Sequence, residues 1–401
     1  MERFSAAALP TSELELWRYS RIDELDLDRY RPCDPDAPLR AVPATVSDLV
    51  SSLGPHGTVI VTSNGRIASV TGGDPALAVS DGWTAADGEA ALAVDDTLVE
   101  LNSALAPSRV ELRVSAGAAL ASPVIVVHWV DADAAVFPRT LVHLEPNAEA
   151  LVTEVLMSGD SGALVVPVAE LDLADGARLA YLHLQLLGPR VWQLGLQTSK
   201  VARDASLTSA AVALGGDYAR LRTDSALVAP GGTSRLQAVF FAAGAQMHDF
   251  RTIQDHRSPR TTSDLLYKGA VANRARSVYS GLIRVAKGAR GTNAYQTNRN
   301  LVLHEGAHAD SVPNLEIEDN DVHCSHASTV GPIAEDERFY LESRGVPTET
   351  AERLIALGFL DDVLSRLPLP GAVDALRLRF AAKLDEAEHA EATLASAGER
   401  R

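Results

Sequence analysis

The spacing of hydrophobic residues divides the chain into three regions. Up to about residue 105 the signals are mixed, with short apolar runs such as residues 59–61 beside pairs of glycines. From about residue 108 short strand-like apolar runs recur, and after Gly345 the apolar residues fall at helical spacing. The pattern predicts an N-terminal helical or mixed region at 1–105, a β core at 106–335 and a C-terminal helical domain at 336–401.

Small-residue corners separate the strand-like runs of the central region. Each corner is a pair of neighbouring residues. The second residues of these pairs are Ala177, Ala205, Gly232, Ala245, Ala275, Ala289 and Ala307. Most of the steps between them are near one or two multiples of about 14 residues, and such regular spacing favours a β-solenoid, in which each coil buries its inner face on the next coil. A β-sandwich, with turns about every 8–12 residues, is the competing interpretation. We expect helices to close the solenoid at both ends and to protect its edges.

The N-terminal region is predicted to open on a helix within residues 10–19. Ser12 and Glu15 there fit a capping box, in which each side chain satisfies a backbone N–H group at the helix start. Residues 31–45 contain four prolines, which indicates a linker. A second helix is predicted at 84–105.

The C-terminal region contains three predicted helices. Thr348 is expected to cap the first helix, and Gly358 is expected to end it. A second short helix follows, and Pro368 breaks it. The last helix has one apolar stripe at helical spacing, formed by Val373, Leu376, Phe380, Leu384 and Ala387.

Composition narrows the classes of partner. The net charge of −17 disfavours nucleic acid and anionic membranes, because both require a basic face. The sequence contains no run of about 18 apolar residues, so no membrane span is expected. The first residues lack a basic stretch followed by an apolar one, so we expect no signal peptide and a cytoplasmic protein.

Two sequence motifs resemble catalytic sites but lack the context that their chemistry requires, and a third motif is absent. Residues 304–308 match the zincin spacing of two histidines, but the motif follows a predicted strand, where residues four apart lie about 13 Å from each other. Residues 159–162 are similar to the serine segment of trypsin-like proteases, but none of the companion segments is present, so a turn is expected. The chain has no P-loop, so any ATP chemistry would have to come from a partner.

Residues 319–331 concentrate candidate metal ligands. They contain Cys324, one of two cysteines, and two of eleven histidines, His323 and His326. On extended backbone Cys324 and His326 share one face, and His323 points to the other. A thiolate and an imidazole in this arrangement can both bind iron, although an isolated cysteine is more often a buried packing residue. Carboxylates that could contribute nearby are Glu316, Glu318, Asp319 and Asp321.

Several further motifs accompany this stretch. The most specific is DVHCSHASTVG at 321–331, and the others lie at 244–249, 256–259, 294–301, 313–317, 339–345, 358–359 and 9–19. Together they resemble the SufD members of the SufB/SufD family of iron–sulfur cluster assembly. Ala327 and Ser328 depart from the Gly-Ala of many members, but both residues are small.

The resemblance implies a right-handed parallel β-helix core flanked by N-terminal and C-terminal helical parts. It also implies a scaffold and not an enzyme, which pairs with SufB through the β-helix and binds the SufC ATPase through the C-terminal helices. Positions on the SufC side would be Phe339, Tyr340, Arg344, Gly345, Gly358 and Phe359.

The resemblance further places a nascent cluster or iron site at the SufB–SufD interface. His326 would be its main ligand in this chain, and Cys324 would be a weaker one. Two cysteines are too few for a four-thiolate site, so no cofactor would be held stably by this chain alone and iron would pass through transiently.

Two alternatives remain open at this point. The chain could be a SufB-like paralogue, although members of that branch are usually longer and richer in cysteine. It could also be a carbohydrate-active enzyme built on a β-helix, although such enzymes are usually secreted. The edges of a solenoid would additionally allow a homodimer of the isolated chain.

Overall fold

A computed structural model describes residues 9–39, 41–81 and 96–398. The chain forms a β-solenoid of about eight turns with helices towards both termini, which confirms the predicted fold class. Two sheets run along the solenoid, one of ten strands and one of eleven.

The first sheet contains ten strands. Their order is β2 (Arg66–Thr71), β1 (Thr58–Ser63), β5 (Val124–Val130), β8 (Glu149–Ser158), β11 (Arg178–Leu186), β13 (Ser206–Ala213), β15 (Thr233–Ala242), β17 (Thr262–Val271), β19 (Thr292–Val302) and β21 (Val322–Gly331).

The second sheet contains eleven strands. Nine follow one path, in the order β20 (His308–Ile317), β18 (Arg276–Val285), β16 (Met247–His256), β14 (Tyr218–Leu227), β12 (Trp192–Val201), β10 (Val168–Leu173), β7 (Arg139–Leu144), β4 (Val110–Val114) and β3 (Leu77–Ser80). The short strands β6 (Ala135–Val136) and β9 (Leu164–Val165) pair beside this path.

The coils stack in register and in parallel. Tyr218 pairs with Met247 and Met247 pairs with Arg276, so each of these pairings marks one full coil. The longer corner steps in the sequence, such as Ala177 to Ala205, therefore correspond to whole coils, and the shorter steps correspond to passages between the two sheets. The pairs β1–β2 and β3–β4 are antiparallel.

Small residues form the corners because the backbone turns there through the left-handed region. Gly176, Gly231 and Gly244 have φ values of 70°, 81° and 66°, and Asp204 and Asn273 have values of 54° and 59°. Glycine adopts this conformation without steric cost, and Asp and Asn tolerate it better than other residues. The corner pattern in the sequence thus has a direct conformational cause.

The interior of the later coils is filled by an aromatic ladder. The ring centroids of Phe240 and Phe250 lie 4.8 Å apart, and those of Phe250 and Tyr267 lie 5.7 Å apart. Gly269 makes this packing possible, because a Cβ atom there would lie 2.0 Å from the Phe240 ring. Any side chain at residue 269 would displace that ring.

The segment before the solenoid does not form the predicted capped helix. The backbone N–H and the hydroxyl of Ser12 both donate to the carboxylate of Asp23. This pairing leaves a short 3-10 turn at Glu15–Trp17, followed by similar turns at Ile22–Glu24 and Leu27–Arg29. The capping-box prediction was wrong because Ser12 has a distant partner.

The N-terminal strap, residues 9–30, lies across the outer face of the second sheet. Arg220 stacks 3.8 Å from the centre of the Trp17 ring and donates to the carbonyl of Leu16. Arg251 donates to the carbonyl of Arg18 at 2.6 Å. Both arginines are buried, so the strap is held by buried hydrogen bonds to its backbone.

Two α-helices follow before the regular coils. Helix α1 is Ala44–Ser52 and helix α2 is Thr97–Leu105, capped by Asp96, which accepts from the Leu98 N–H group at 2.9 Å. The predicted helix at 84–105 is therefore present at its end, and its portion at 84–95 lies outside the described residues. The predicted linker contacts the solenoid through a bridge between Pro32 and Ala135.

The C-terminal helices are α3 (Glu335–Glu342), α4 (Thr348–Leu364) and α5 (Val373–Gly398). Helix α4 continues through Gly358, so the predicted stop was wrong. A glycine inside a helix costs about 1 kcal/mol, which the burial of Ala356 and Leu360 on either side outweighs. Thr348 does not cap the helix, because its hydroxyl donates to Glu342. No helix within the described residues is long and apolar enough to cross a membrane.

The helices cover the side of the solenoid and not its C-terminal end. Helix α4 contacts β15 and β17, and the predicted stripe of α5 is buried from Leu376 to Ala387. Both join the apolar outer face of the first sheet in one cluster. The expectation that helices close both ends was therefore wrong, because the outer face of the sheet offers the larger apolar surface.

A buried lysine also joins helix α5 to the solenoid. The ammonium group of Lys383 donates to the carbonyls of Leu214 and Phe241 and to the amide oxygen of Gln246. Burial lowers the pKa of Lys383 to about 7. One helical turn later, Asn273 of a solenoid corner donates to the carbonyl of Ala387 at 2.9 Å.

A carboxylate lies between two imidazoles inside the early coils. Glu154 accepts from His128 at 3.1 Å, from His183 at 3.2 Å and from the Tyr181 hydroxyl at 2.7 Å. All four side chains are buried. Burial alone would raise the pKa of Glu154, but the hydrogen bonds and charge of the two histidines hold it well below its usual range. The carboxylate is therefore ionised at neutral pH.

We predict that Glu154→Gln lowers the free energy of unfolding by about 3–5 kcal/mol at pH 7, because the two imidazoles and the Tyr181 hydroxyl lose their ionised hydrogen-bond acceptor in the interior. The difference from the unsubstituted protein is fully present above the carboxyl pKa of the unfolded chain. It disappears as pH falls through the lowered pKa of the native state. Denaturant unfolding at several pH values measures this difference in unfolding free energy. The control is Glu149→Gln, a substitution of an exposed residue on the same strand. Equal stability of the two variants at pH 7 would contradict it.

Candidate functional site

Strand β21 carries both predicted iron ligands and is the outermost strand of the first sheet. It pairs with β19 in parallel, so that Cys324 lies beside Ala294 and His326 lies beside Gln296. On its other side the described residues provide no strand. The candidate site is thus on the open C-terminal edge of the solenoid.

Cys324 and His326 lie on the inner face of this last coil. Their partners Ala294 and Gln296 are buried in the interior, and paired residues of a parallel ladder point to the same side. Cys324 packs beside Ile283 and is half-buried, whereas His326 is exposed. His323 alternates to the opposite face, as the sequence pattern predicts.

The thiol of Cys324 is not activated. Burial raises its pKa, and a hydrogen bond with the backbone of Ala294 offsets only part of the increase. The thiol is therefore protonated at neutral pH and is a poor ligand until a metal displaces its proton. The exposed imidazole of His326 needs no such step when it is neutral.

The neighbouring carboxylates form ion pairs and hydrogen bonds near the corner between β20 and β21. Glu316 pairs with Arg284 at 3.2 Å, and Glu318 accepts from the Lys287 N–H group. Asp319 accepts from the N–H groups of Asp321 and Gly288, and these bonds lower its pKa. Across the described part of the chain, no three His, Cys, Asp or Glu residues are arranged to hold a metal. The carboxylates therefore do not complete a site around His326.

The other two motifs have structural roles. His304 accepts from the Asn273 N–H group at 2.8 Å at a corner, and His308 contacts Asp310 on β20. The two histidines lie on a turn and a strand, so the zincin interpretation fails. Residues 159–162 form an irregular connection between β8 and β9 with a bend at Asp160, which pairs with Arg190 at 2.9 Å.

Apolar side chains that were not predicted from the sequence lie near His326 at the open edge. Leu315 and Ile317 of β20 and Val330 of β21 are exposed there. They occupy inner-face positions, which the next coil covers elsewhere in the solenoid. The alternation of apolar residues indicated the face, but only the strand order shows that the face is uncovered.

A second exposed surface lies on the C-terminal helices. Phe339 is 70% exposed and Tyr340 is 58% exposed, with Arg344 stacked 5.2 Å from the centre of the Tyr340 ring. Gly345 lies in the turn after α3 with φ at 86°. These four predicted partner-binding residues therefore lie in one region.

The remaining two predicted residues on this side lie on α4. A methyl group added at Gly358 would meet no neighbouring atom within 4 Å, so this glycine borders open space. Phe359 is half-buried against the solenoid, and its ring centre lies 4.6 Å from the ammonium group of Lys268. Phe359 therefore helps to attach the helix and is less accessible than Gly358.

An apolar groove between α4 and α5 was not predicted. It has a volume of about 640 Å³ and is lined by Leu354, Leu357 and Leu378. Leu378 is 72% exposed and lies outside the buried stripe of α5. The position of Leu378 outside the apolar stripe of α5 is the feature of the sequence that could have indicated this groove.

Comparison with known proteins identifies the family. A sequence model described as "SUF system FeS cluster assembly, SufBD core domain" matches residues 127–359, which is more than half of the chain. The chain therefore belongs to the SufBD family, as the sequence motifs indicated.

Individual relatives cover much of the chain. An iron–sulfur cluster assembly SufBD family protein of Mycobacterium tuberculosis is 32% identical over 263 residues, 64% of this chain and 66% of that protein, just under two thirds. The iron–sulfur cluster assembly protein SufD of Escherichia coli is 29% identical over 295 residues, 72% of this chain and 70% of that protein. SufD of Bacillus subtilis is 28% identical over 278 residues, 68% of this chain and 64% of that protein.

We predict that Cys324 reacts slowly with iodoacetamide at pH 7.5, because the raised pKa leaves little thiolate. In a Cys33→Ser background the alkylation rate should still be increasing above the ordinary thiol pKa of about 8.5. Mass spectrometry over a pH series measures the rate, and the Cys33→Ser, Cys324→Ser variant gives the blank. A rate that reaches its plateau below pH 8 would indicate an activated thiolate and contradict the prediction.

Proposed function

We propose that this chain is a SufD-type scaffold subunit, which contributes His326 to a site for iron or a nascent cluster that a partner completes. The observation that supports this most is the position of His326, exposed on the inner face of the outermost strand. An imidazole in that position can reach a ligand held by a second protein while its own strand remains fixed by β19.

The number of thiols favours a shared site. Clusters are usually held by four thiolates, and this chain has two cysteines, of which Cys33 lies far from β21 in the sequence. Iron is therefore the cargo of the site and not a resident cofactor. In this proposal His326 supplies one ligand, Cys324 is its weaker neighbour, and the partner supplies the rest.

The partner at this edge is proposed to be SufB, a second β-solenoid. An outermost strand presents unpaired N–H and C=O groups to which another strand can add. The exposed Leu315, Ile317 and Val330 would be buried by the added coil. Such an interface would place ligands from both chains on one continuous inner face.

The C-terminal helices are proposed to bind the SufC ATPase. Phe339 and Tyr340 are exposed on α3, and the groove with Leu378 is apolar with Arg377 and Asp361 at its lining. Aromatic and arginine side chains are frequent at the centres of interfaces. The sequence has no P-loop, so nucleotide hydrolysis would come from this partner.

We predict that His326→Ala abolishes complementation of a suf-deficient strain while the protein remains folded, because the imidazole is exposed and supports no packing. His323→Ala, on the opposite face of the same strand, is the matched control and should complement fully. Cys324→Ala should have a milder effect than His326→Ala. Growth under iron limitation measures these outcomes, and full complementation by His326→Ala would refute the proposed role.

We predict that Leu378→Glu prevents co-purification with SufC, because a charge enters the apolar groove. Val70→Glu, an equally drastic change of an exposed residue on β2, should leave co-purification intact. Circular dichroism should show unchanged secondary structure for both variants. If a protein with both Leu378→Glu and Phe339→Ala still co-purified with SufC, the SufC-binding surface would lie elsewhere.

A further inference from the structure

The amide of Gln296 is buried without a partner directly behind His326. The residue is 1% exposed. Within the described part of the chain, neither its oxygen nor its nitrogen forms a hydrogen bond. A buried polar group left unpaired costs roughly 1–3 kcal/mol, so its presence in the interior requires an explanation.

The neighbours of Gln296 along the ladder define its surroundings. Leu265 lies beside it in the preceding coil and His326 lies beside it in the last coil, all on the inner face. Adjacent strands are about 4.8 Å apart, so a rotation of the Gln296 side chain would bring its amide within reach of the imidazole. A leucine would fill the position of Gln296 as Leu265 does in the coil before, without an unpaired polar group.

Space for the amide is provided by the opposite sheet. A Cβ atom at Gly281 would lie 2.6 Å from the side-chain nitrogen of Gln296. Gly281 therefore leaves the volume that the amide occupies. The amide extends into the interior under the last coil, where any larger residue at 281 would displace it.

Several other polar groups of the last coils are paired with each other. Asn300 donates to Asn298 at 2.7 Å, and Ser311 donates to the same oxygen at 2.8 Å. The hydroxyl of Tyr279 pairs with Thr252 at 3.0 Å. Of the two side chains next to Gln296 in its ladder, His326 is the one with polar atoms.

We propose that Gln296 is a positioning residue for His326, and this rests on the proposed function. In the structure the amide lies against Gly281 without a hydrogen bond, and rotation of the Gln296 side chain towards β21 would let its oxygen accept the N–H of one imidazole nitrogen. A neutral imidazole has one N–H group and one lone pair, so this hydrogen bond selects the tautomer in which the other nitrogen presents its lone pair. That nitrogen is then directed away from the interior, towards an iron ion or cluster carried by the partner.

The tautomer of His326 gives a direct test, independent of iron. Ring nitrogen shifts of the ¹⁵N-labelled full chain, at a fixed pH where imidazoles are neutral, report which nitrogen carries the proton. The His326 signals are assigned as those lost in His326→Ala. We expect one dominant tautomer in the unsubstituted protein and a mixture in Gln296→Leu. Gln296→Glu, which keeps an acceptor oxygen, should restore the single tautomer.

Gln254→Leu is the matched control for these spectra. Gln254 is also buried on the inner face, with an unpaired amide oxygen, but it lies in an earlier coil on β16. Its replacement should leave the His326 signals unchanged. Identical His326 signals in Gln296→Leu and the unsubstituted protein would overturn the proposal.

Iron binding separates this inference from the proposed function. In anaerobic titration of the complex with SufB and SufC, Gln296→Leu should weaken Fe(II) binding about 10–100-fold, and Gln296→Glu should retain it. Loss of the single tautomer without any change in Fe(II) affinity would refute the positioning role. Fe(II) binding that does not change in His326→Ala would instead refute the proposed function, whatever the tautomer of His326.

Discussion

The in-register stacking of coils determines most of this structure. Each side chain of the regular coils lies directly above its counterpart in the preceding coil, as from Tyr218 to Met247 and on to Arg276. The position of a residue in its coil therefore decides whether it faces the interior, the helices or solvent. His326 is an inner residue by register and an exposed one only because the described coils end there. The candidate site is a consequence of where the stacking ends.

The fold class and the location of His326 and Cys324 could be predicted because both depend on local regularities. Left-handed corners favour Gly, Asn and Asp, and strand alternation assigns faces. The errors came from long-range contacts. Ser12 pairs with Asp23 instead of capping a helix, and burial against the solenoid carries α4 through Gly358. The unpaired amide of Gln296 could not be found from the sequence, because its environment consists of residues from three different strands.

The two surfaces of the chain are mechanically joined. Helix α5 is attached to the corners of three coils through Lys383 and Asn273, and those coils precede the open edge. Buried hydrogen bonds of this kind allow little independent movement of the helices. The hydrogen bonds of helix α5 therefore end on the coils before the open edge, and β19 and β21 are the next strands in the stack.

The N-terminal strap has a consequence for the order of synthesis. Its backbone carbonyls at Leu16 and Arg18 are held by arginines 204 and 233 residues further along the chain. At roughly 5–20 residues per second, the ribosome needs about 10–47 s to add the intervening residues. During that time Trp17 lacks the arginine that stacks on its ring, although Leu98 and Leu101 of its apolar cluster are already made. The strap is thus made long before the two arginines that hold its backbone, and its hydrogen bonds to the solenoid can form only after β14 and β16 have been added.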